Sequence, residues 1–387
     1  MQQPQGFVDS RVPNHVCKLV KSLYDLKQAP RAWNAKFTGV LPSMGFNVSQ
    51  SDTSLFVKTD SKDIIVLLLY VDDIILTGSN VTNVQDVITA LSEIFDLKDM
   101  GRLTYFLGLH IQYKDNGDMF LSQTKYAQEL IKRAGMENCR PAPTPSKPHT
   151  QLLLSAGHHL SDPSLYRSIV GALQYLTFTR PDIAHSVNVV CQYMTAPTDA
   201  HMFLVKRILR YLQGTLLCGL TYRSAPDIHI SAYSDADWGS DINTRRSVTG
   251  YVVFLGSNPV SWQSKKQSSV SRSSTEAEYK ALANCAADVC WIRSLMKDLH
   301  QFLPAPPDLH CDSISALSLS TNPVFHSRIK HLDIDYHFVR ERVQKKDIVV
   351  HYISTDNQVA DVLTKGLHSP VFVKHCINLS LGVPGCD

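Results

Sequence analysis

Residues 273–299 read SSTEAEYKALANCAADVCWIRSLMKDL. Leu282, Cys285, Val289, Ile292, Met296 and Leu299 recur at spacings of three and four, which predicts one long amphipathic helix over 275–299. Thr275 and Glu278 have the capping-box spacing that starts such a helix. Carried back four residues from Leu282, the apolar stripe arrives at Glu278, while Glu276 falls about 160° away around the helix. The pattern sends Glu278 toward whatever the helix packs on and Glu276 outward. A carboxylate on a buried face is costly to desolvate. Glu278 is either a helix cap alone or a residue held there for its charge.

The flanking sequence supplies three more acids of the same kind. Strands are expected at about 228–234, 248–255 and 259–264 before the helix. A strand at 308–312, helices at 313–320 and 328–345, a strand at 347–353 and a terminal helix from about 357 follow it. An antiparallel meander followed by alternating strands and helices predicts a mixed α/β sheet. Asp235 ends the first strand in IHISAYSDADWG, Asp312 ends the strand of DLHCDS, and Asp361 begins the last helix in DNQVADVLTKG. Each alone also reads as a cap. Together with Glu278 they converge on one edge of the sheet with no Arg or Lys among them, and such a cluster demands a cation. Hard oxygen ligands select Mg²⁺ or Mn²⁺. Two such ions about 4 Å apart activate a water and stabilise the leaving oxygen of a phosphodiester.

The upstream sequence raises a second question about acids. LLLYVDDIILTGSN, residues 67–80, sets Asp72 beside Asp73 inside the most apolar stretch of the chain. TSLFVKTDSKDIIVLLLYVDDIIL, residues 53–76, is expected to form two strands joined by a polar turn at Asp60–Asp63, with the aspartates on the second. Helices are expected at about 32–41, 82–95 and 123–134, and strands at 104–113 and 118–122. CRPAPTPSKPHT, 139–150, reads as an extended linker, and 221–229 as a weaker boundary. Between them 161–214 is helical, with apolar stripes Tyr166, Ile169, Val170, Leu173, Leu176 and Phe203, Ile208, Leu209, Leu212. Lys206, Arg207 and Arg210 share one side of the second stripe's helix, as a phosphate-binding or a solvated face. His326, His331 and His337 lack the i,i+4 spacing of a ligand pair and read as structural or solvated. Nearby Arg340, Arg342, Lys345 and Lys346 touch phosphates or solvate their helix.

Bulk composition bounds the class. The chain has 387 residues, 44% hydrophobic and 19% charged, as expected for a globular protein of two or three domains. A net charge of +3 permits an acidic partner without demanding one. Nine cysteines without a CxxC pattern indicate neither a disulfide framework nor a zinc site, and reduced thiols are the simplest reading. The longest apolar run, 64–76, is broken by Asp72 and Asp73 and is too short to cross a bilayer. MQQPQGFVDS lacks the cationic and apolar regions of a signal peptide, so an intracellular chain, cytoplasmic or nuclear, without a membrane partner is expected.

In order and context, Asp235, Glu278, Asp312 and Asp361 resemble the ribonuclease H active site. The surrounding phrases SDADWGSD, RRSVTGYVVFLG, SRSSTEAEYKAL, IKHLDIDYHFVRE and NQVADVLTKGL resemble the C-terminal part of a copia-type retrotransposon Pol polyprotein, and the likeness covers nearly the whole chain. YVDD at 70–73 matches the central reverse transcriptase motif, SLYDLKQAPRAW at 22–33 the motif beside template and nucleotide, and GRLTYFLGLHI at 101–111 the primer-gripping hairpin.

The resemblance implies an α+β multidomain chain: a partial reverse transcriptase palm over 1–148, a helical thumb and connection over 149–225, a ribonuclease H-like mixed α/β domain over 226–368, and a tail over 369–387. It implies that Asp235, Glu278, Asp312 and Asp361 bind two Mg²⁺ ions and cut the RNA strand of an RNA–DNA hybrid. In the palm it implies Asp72 and Asp73 as ligands of Mg²⁺, and Gln28 and Arg31 as contacts to template–primer nucleic acid. Two departures stand out: Asp25 where the family more often has Gly, and no His in the loop before Asp361, His351 lying back on a strand. Polymerase chemistry needs a third aspartate, found in the family upstream of the segment matched here, so independent polymerase activity is not expected. A non-catalytic nucleic-acid-binding relic is the alternative.

Overall fold

The computed structural model describes residues 2–20, 23, 26–60, 63–150, 152–224, 228–321 and 333–383. Asp25, His326, His331 and the start of the helix expected at 328 lie outside the described residues. The chain packs as two compact units, Met1–Gly101 with Ser294–Gln301, and Arg102–Arg293 with Phe302–Asp387. Residues 102–148, grouped by sequence with the first segment, thus pack with the C-terminal part of the chain.

The smaller unit is built on an antiparallel sheet in the order β1 (Asn47–Val48), β2 (Leu55–Asp60), β3 (Asp63–Tyr70), β4 (Asp73–Gly78). The apolar run that predicted two strands therefore makes three, because Tyr70 pairs directly with Asp73 across a two-residue turn. Helices α1 (Ala29–Thr38) and α2 (Val81–Ile94) supply Phe37, Val87 and Leu91 to a core with Phe56, Ile65, Leu67 and Leu69. Ile65, Leu67 and Leu69 are two apart along β3 and so share one sheet face.

The larger unit holds two sheets. One runs β5 (Tyr105–Phe106), β6 (Leu109–Tyr113), β7 (Met119–Ser122), β8 (Gly219–Tyr222), and is completed on the far side of β8 by β14 (Leu381–Gly382). The other has the order β11 (Asn258–Lys266), β10 (Val248–Leu255), β9 (Ile230–Asp237), β12 (Asp308–Cys311), β13 (Val349–Tyr352). Its first three strands are antiparallel and β12 and β13 run parallel to β9, the mixed sheet the meander predicted.

Helices α3 (Thr124–Arg133), α4 (Ser164–Leu176), α5 (Ala184–Cys191) and α6 (Asp199–Gly214) share one core with Val252 and Phe254 of β10 and with Val362 and Leu363. The predicted stripes are buried in it except Phe203, which is 64% exposed; Val205 takes the inward position instead. The helical segment and the mixed sheet are therefore one packed body. The proline-rich stretch 139–150 does not behave as an extended linker: Ala142 and Thr144 are buried, and Arg210 and Arg207 bond Arg140 O (2.7 Å) and Thr144 Oγ1 (2.9 Å). Nor does the chain trail off after 368. The helix expected from about 357 begins only at α10 (Ser369–Asn378), after short 3₁₀ turns at Thr355–Asn357 and Val359–Leu363, and α10 buries Phe372 in the shared core.

A buried ion pair fastens this body. Arg180 and Asp182, 3% and 2% exposed, meet at 2.7 Å; Tyr211 donates to Asp182 (2.6 Å) and Arg180 to Thr215 O (2.9 Å). Removing one member strands a buried charge, which costs about 3–5 kcal/mol. Arg180→Met is expected to lose that much stability in urea titration, and the double variant Arg180→Met/Asp182→Leu less than the single one.

Candidate active site

Asp235 lies on β9, directly opposite Gly250 of β10. A side chain at 250 would drive its Cβ to 2.6 Å from Thr364 Cγ2 and 2.8 Å from Leu363 Cβ, so glycine there lets the segment after β13 approach the sheet. That approach brings Asp361, on the 3₁₀ turn, against β9; Gln358 donates to Ser234 O (3.0 Å) and fixes the register of the turn. Asp312 follows β12, the parallel neighbour of β9. Glu278 comes from α7 (Ser274–Asp298), whose Ala277 and Ala281 pack on Ala236. Small residues at this crossing let helix and strand approach closely.

Helix α7 departs from the stripe reading at its start. Glu276 N bonds Ser273 Oγ (3.2 Å), so the cap is Ser273 with Glu276 third, not Thr275 with Glu278. Glu276 does not face outward: it is buried, accepts from Arg272 N (2.8 Å) and pairs with Lys280 at 2.8 Å. The residues before α7 fold over this side, and Lys280 also donates to Ser269 and Ser271. Glu278 is thereby free of capping duty.

Asp235, Glu278 and Asp361 are 3%, 8% and 5% exposed, and Asp312 is half-buried. Burial, reinforced by the charges of Asp235 and Asp312, pushes the Glu278 carboxyl well above the usual carboxylate range. Burial and then Asp235 do the same to Asp361, and burial and then Asp235 to Asp312. Thr364 Oγ1 donates to Asp235 Oδ2 and Thr355 Oγ1 to Asp312 Oδ2 (3.1 Å). Glu278, Cys311 and Asp312 place a ligand atom each within 4.8 Å of one another. Buried, mutually repelling carboxylates are the donor set of a hard divalent cation.

The sequence pattern gave no place to one cation. Lys365 Nζ lies 2.8 Å from Asp361 Oδ1 and 3.6 Å from Asp235 Oδ2, so the cluster does have a lysine among its acids. The i,i+4 spacing of Asp361 and Lys365 was the available signal. Cys311, adjacent to Asp312, was missed as well. His351 is held far from this work, at the start of β12, where it and His229 bind the two oxygens of Asp308 at 2.8 and 2.9 Å.

The other expected residues fall elsewhere. In the smaller unit Gln28, Arg31, Asp72 and Asp73 are exposed. Trp33 Nε1 donates to Val71 O (2.6 Å), tying the 22–33 motif to the aspartate turn, where Val71 takes a left-handed φ of 54°. Among the described residues no third carboxylate joins Asp72 and Asp73 within ligand reach. In the larger unit Arg207 and Arg210 are engaged with 140–144, leaving Lys206 the exposed cation of its helix face. Arg342 pairs with Asp347 (3.1 Å) and Lys345 with Glu341 (2.5 Å). No described helix is long and apolar enough to cross a membrane.

The family described as reverse transcriptase (RNA-dependent DNA polymerase) matches residues 1–148. The Pol polyprotein of transposon RE1 from Arabidopsis thaliana is 48% identical over 372 residues, 96% of this chain and 25% of that protein. An uncharacterized mitochondrial protein of Arabidopsis thaliana is 50% identical over 225 residues, covering 58% of this chain and 93% of its own length. The chain thus spans about a quarter of the length of the Pol polyproteins it matches. The solved N-terminal RNase H domain of a Mycobacterium tuberculosis protein aligns with 39% of this chain and 97% of its own, at 14% identity and a TM-score of 0.28.

A carboxyl raised in the fold keeps a proton that the unfolded chain gives up near pH 4.3, so its contribution to stability falls as pH rises above that value. In a chelator, wild-type stability is expected to fall relative to Glu278→Gln between pH 5 and 8.5, at no more than about 1.4 kcal/mol per pH unit. Urea titrations at several pH values check this; a pH-independent difference refutes it.

Proposed function

The chain belongs to the retrovirus-related Pol polyproteins of copia-type transposons, and from that premise we propose that Asp235, Glu278, Asp312 and Asp361 hydrolyse the RNA strand of an RNA–DNA hybrid. One observation carries the reading: four carboxylates from separate elements meet around the central strand of a mixed sheet, three of them buried. Such a gathering is destabilising unless it is used.

Asp235 is the central acid of the set, since its charge is felt by all three others, and it would hold a cation together with them. Thr364 and Thr355 orient Asp235 and Asp312 as outer-shell partners do. Burial and the charges of Asp235 and Asp312 favour a proton on Glu278, so holding a cation there would release it and would be favoured as pH rises. Mg²⁺ or Mn²⁺ bound by these residues supplies activation of a water and stabilisation of the leaving oxygen. Selection of a hybrid rests on A-form shape and 2′-hydroxyls rather than on base sequence. Lys206, exposed on α6, is a candidate phosphate contact.

Incubation with a labelled hybrid and Mg²⁺ tests the reading. Asp312→Asn is expected to lower RNA cleavage by more than about 100-fold, beyond the usual cost of losing an outer-shell partner. Binding without cleavage by the folded wild type would favour a chain that only holds hybrids.

The palm residues do not complete polymerase chemistry as they stand, since a two-metal site needs more than Asp72 and Asp73. The chain alone is expected not to extend a primed RNA template. Templated extension that disappears in Asp72→Asn would overturn this.

A further inference from the structure

Lys365 has no role in the hydrolysis proposed for the four acids, yet it is the cation of the cluster. Its ammonium contacts Asp361 and Asp235, the two acids outside the Glu278–Cys311–Asp312 group. The charge of the ammonium is felt by Glu278 and Asp312 too, but it touches only Asp361 and Asp235, so among the described residues the other half of the site has no cation in contact with it.

The ammonium is the one partner of Asp361 Oδ1 among the described residues, at 2.8 Å. The Lys365 side chain is 35% exposed, so it is not sealed in place. It has somewhere to go. Lys365 borders a cavity of about 230 Å³ whose wall also carries Asp237 and Asp241. Asp241 is already committed to Lys266 (2.9 Å), whereas Asp237 is close enough to feel Lys365 electrostatically. A lysine stem is long and flexible, and a partly exposed ion pair is weakly held.

We propose that Lys365 is a positioning residue, a tethered cation that occupies the Asp361–Asp235 half of the site until a divalent ion displaces it toward Asp237. Loading would then be stepwise: the Glu278–Asp312 half can take an ion without displacing the ammonium, and the Asp361–Asp235 half only in competition with it. This rests on the hydrolytic reading, but its test does not depend on cleavage.

Calorimetric titration of the full chain with Mn²⁺ alone, on wild type, Lys365→Met and Lys365→Arg, reads the competition directly. The weaker of two Mn²⁺ affinities is expected to tighten at least tenfold in Lys365→Met and to stay within about threefold of wild type in Lys365→Arg. A purely structural ion pair would leave that affinity unchanged or weaken it in Lys365→Met, and either result overturns the proposal while hybrid cleavage remains a separate question. Absence of Mn²⁺ binding in all three proteins would overturn this proposal and the metal reading together. Should Lys365→Met not fold, Asp237→Asn decides: without its second partner Lys365 should yield less readily, weakening the second Mn²⁺ several-fold, and an unchanged affinity refutes the displacement.

Discussion

Like charges held together out of water set the terms for the larger unit. Asp235, Glu278 and Asp361 are buried close enough for each to perturb its neighbours, and isolated carboxylates in such surroundings simply take up protons. The local structure answers that pressure at several points. Gly250 lets the Asp361 turn come near, the hydroxyls of Thr364 and Thr355 satisfy oxygens, Ala236 gives Glu278 a backbone hydrogen bond, and Lys365 offsets part of the charge. None of these devices makes the cluster comfortable. They make it tolerable until a divalent cation arrives.

Around that cluster the packing is continuous. A body in which α4, α5 and α6 share a core with β10 and with the turn that carries Asp361 cannot shift its helices without disturbing the acid. The Arg180–Asp182 pair ties the end of α4 to Tyr211 of α6, and Tyr211 meets the ring of Phe372 from α10 edge-on at 5.6 Å. Rigidity of the site is thus inherited from helices that lie outside the mixed sheet.

Much of this was legible along the chain. The mixed sheet followed from strand spacing, and the four acids stood out as candidates because each interrupts or ends a regular pattern. Glu276 misled because α7 is buried on every side over residues 276–283, a property that a single stripe cannot express. Phe203 misled for the opposite reason, an apolar residue left at the surface where Val205 fills the core. Lys365 stands four residues after Asp361, an ion-pair spacing, yet the four acids taken by themselves read as a cluster without a cation. The hairpin at Asp72 was blurred by an apolar run long enough for two strands to be read as one. The Arg180–Asp182 pair has no signature at all, since charges two apart in a loop give no hint of burial.

Strand β14 carries a consequence for the birth of the protein. It lies beside β8 in the sheet that begins at β5, so the first and last strands of one sheet are Tyr105 and Leu381 in origin. At a ribosome's pace of roughly 5–20 residues per second, β8, complete at Tyr222, waits roughly 8–32 s for Leu381 to be added. During that interval β8 presents an unpaired edge, the kind that recruits strands from other chains. Nascent chains are thus exposed to mispairing with one another until residues 381–382 have been made, and spacing between ribosomes on a message becomes a determinant of yield.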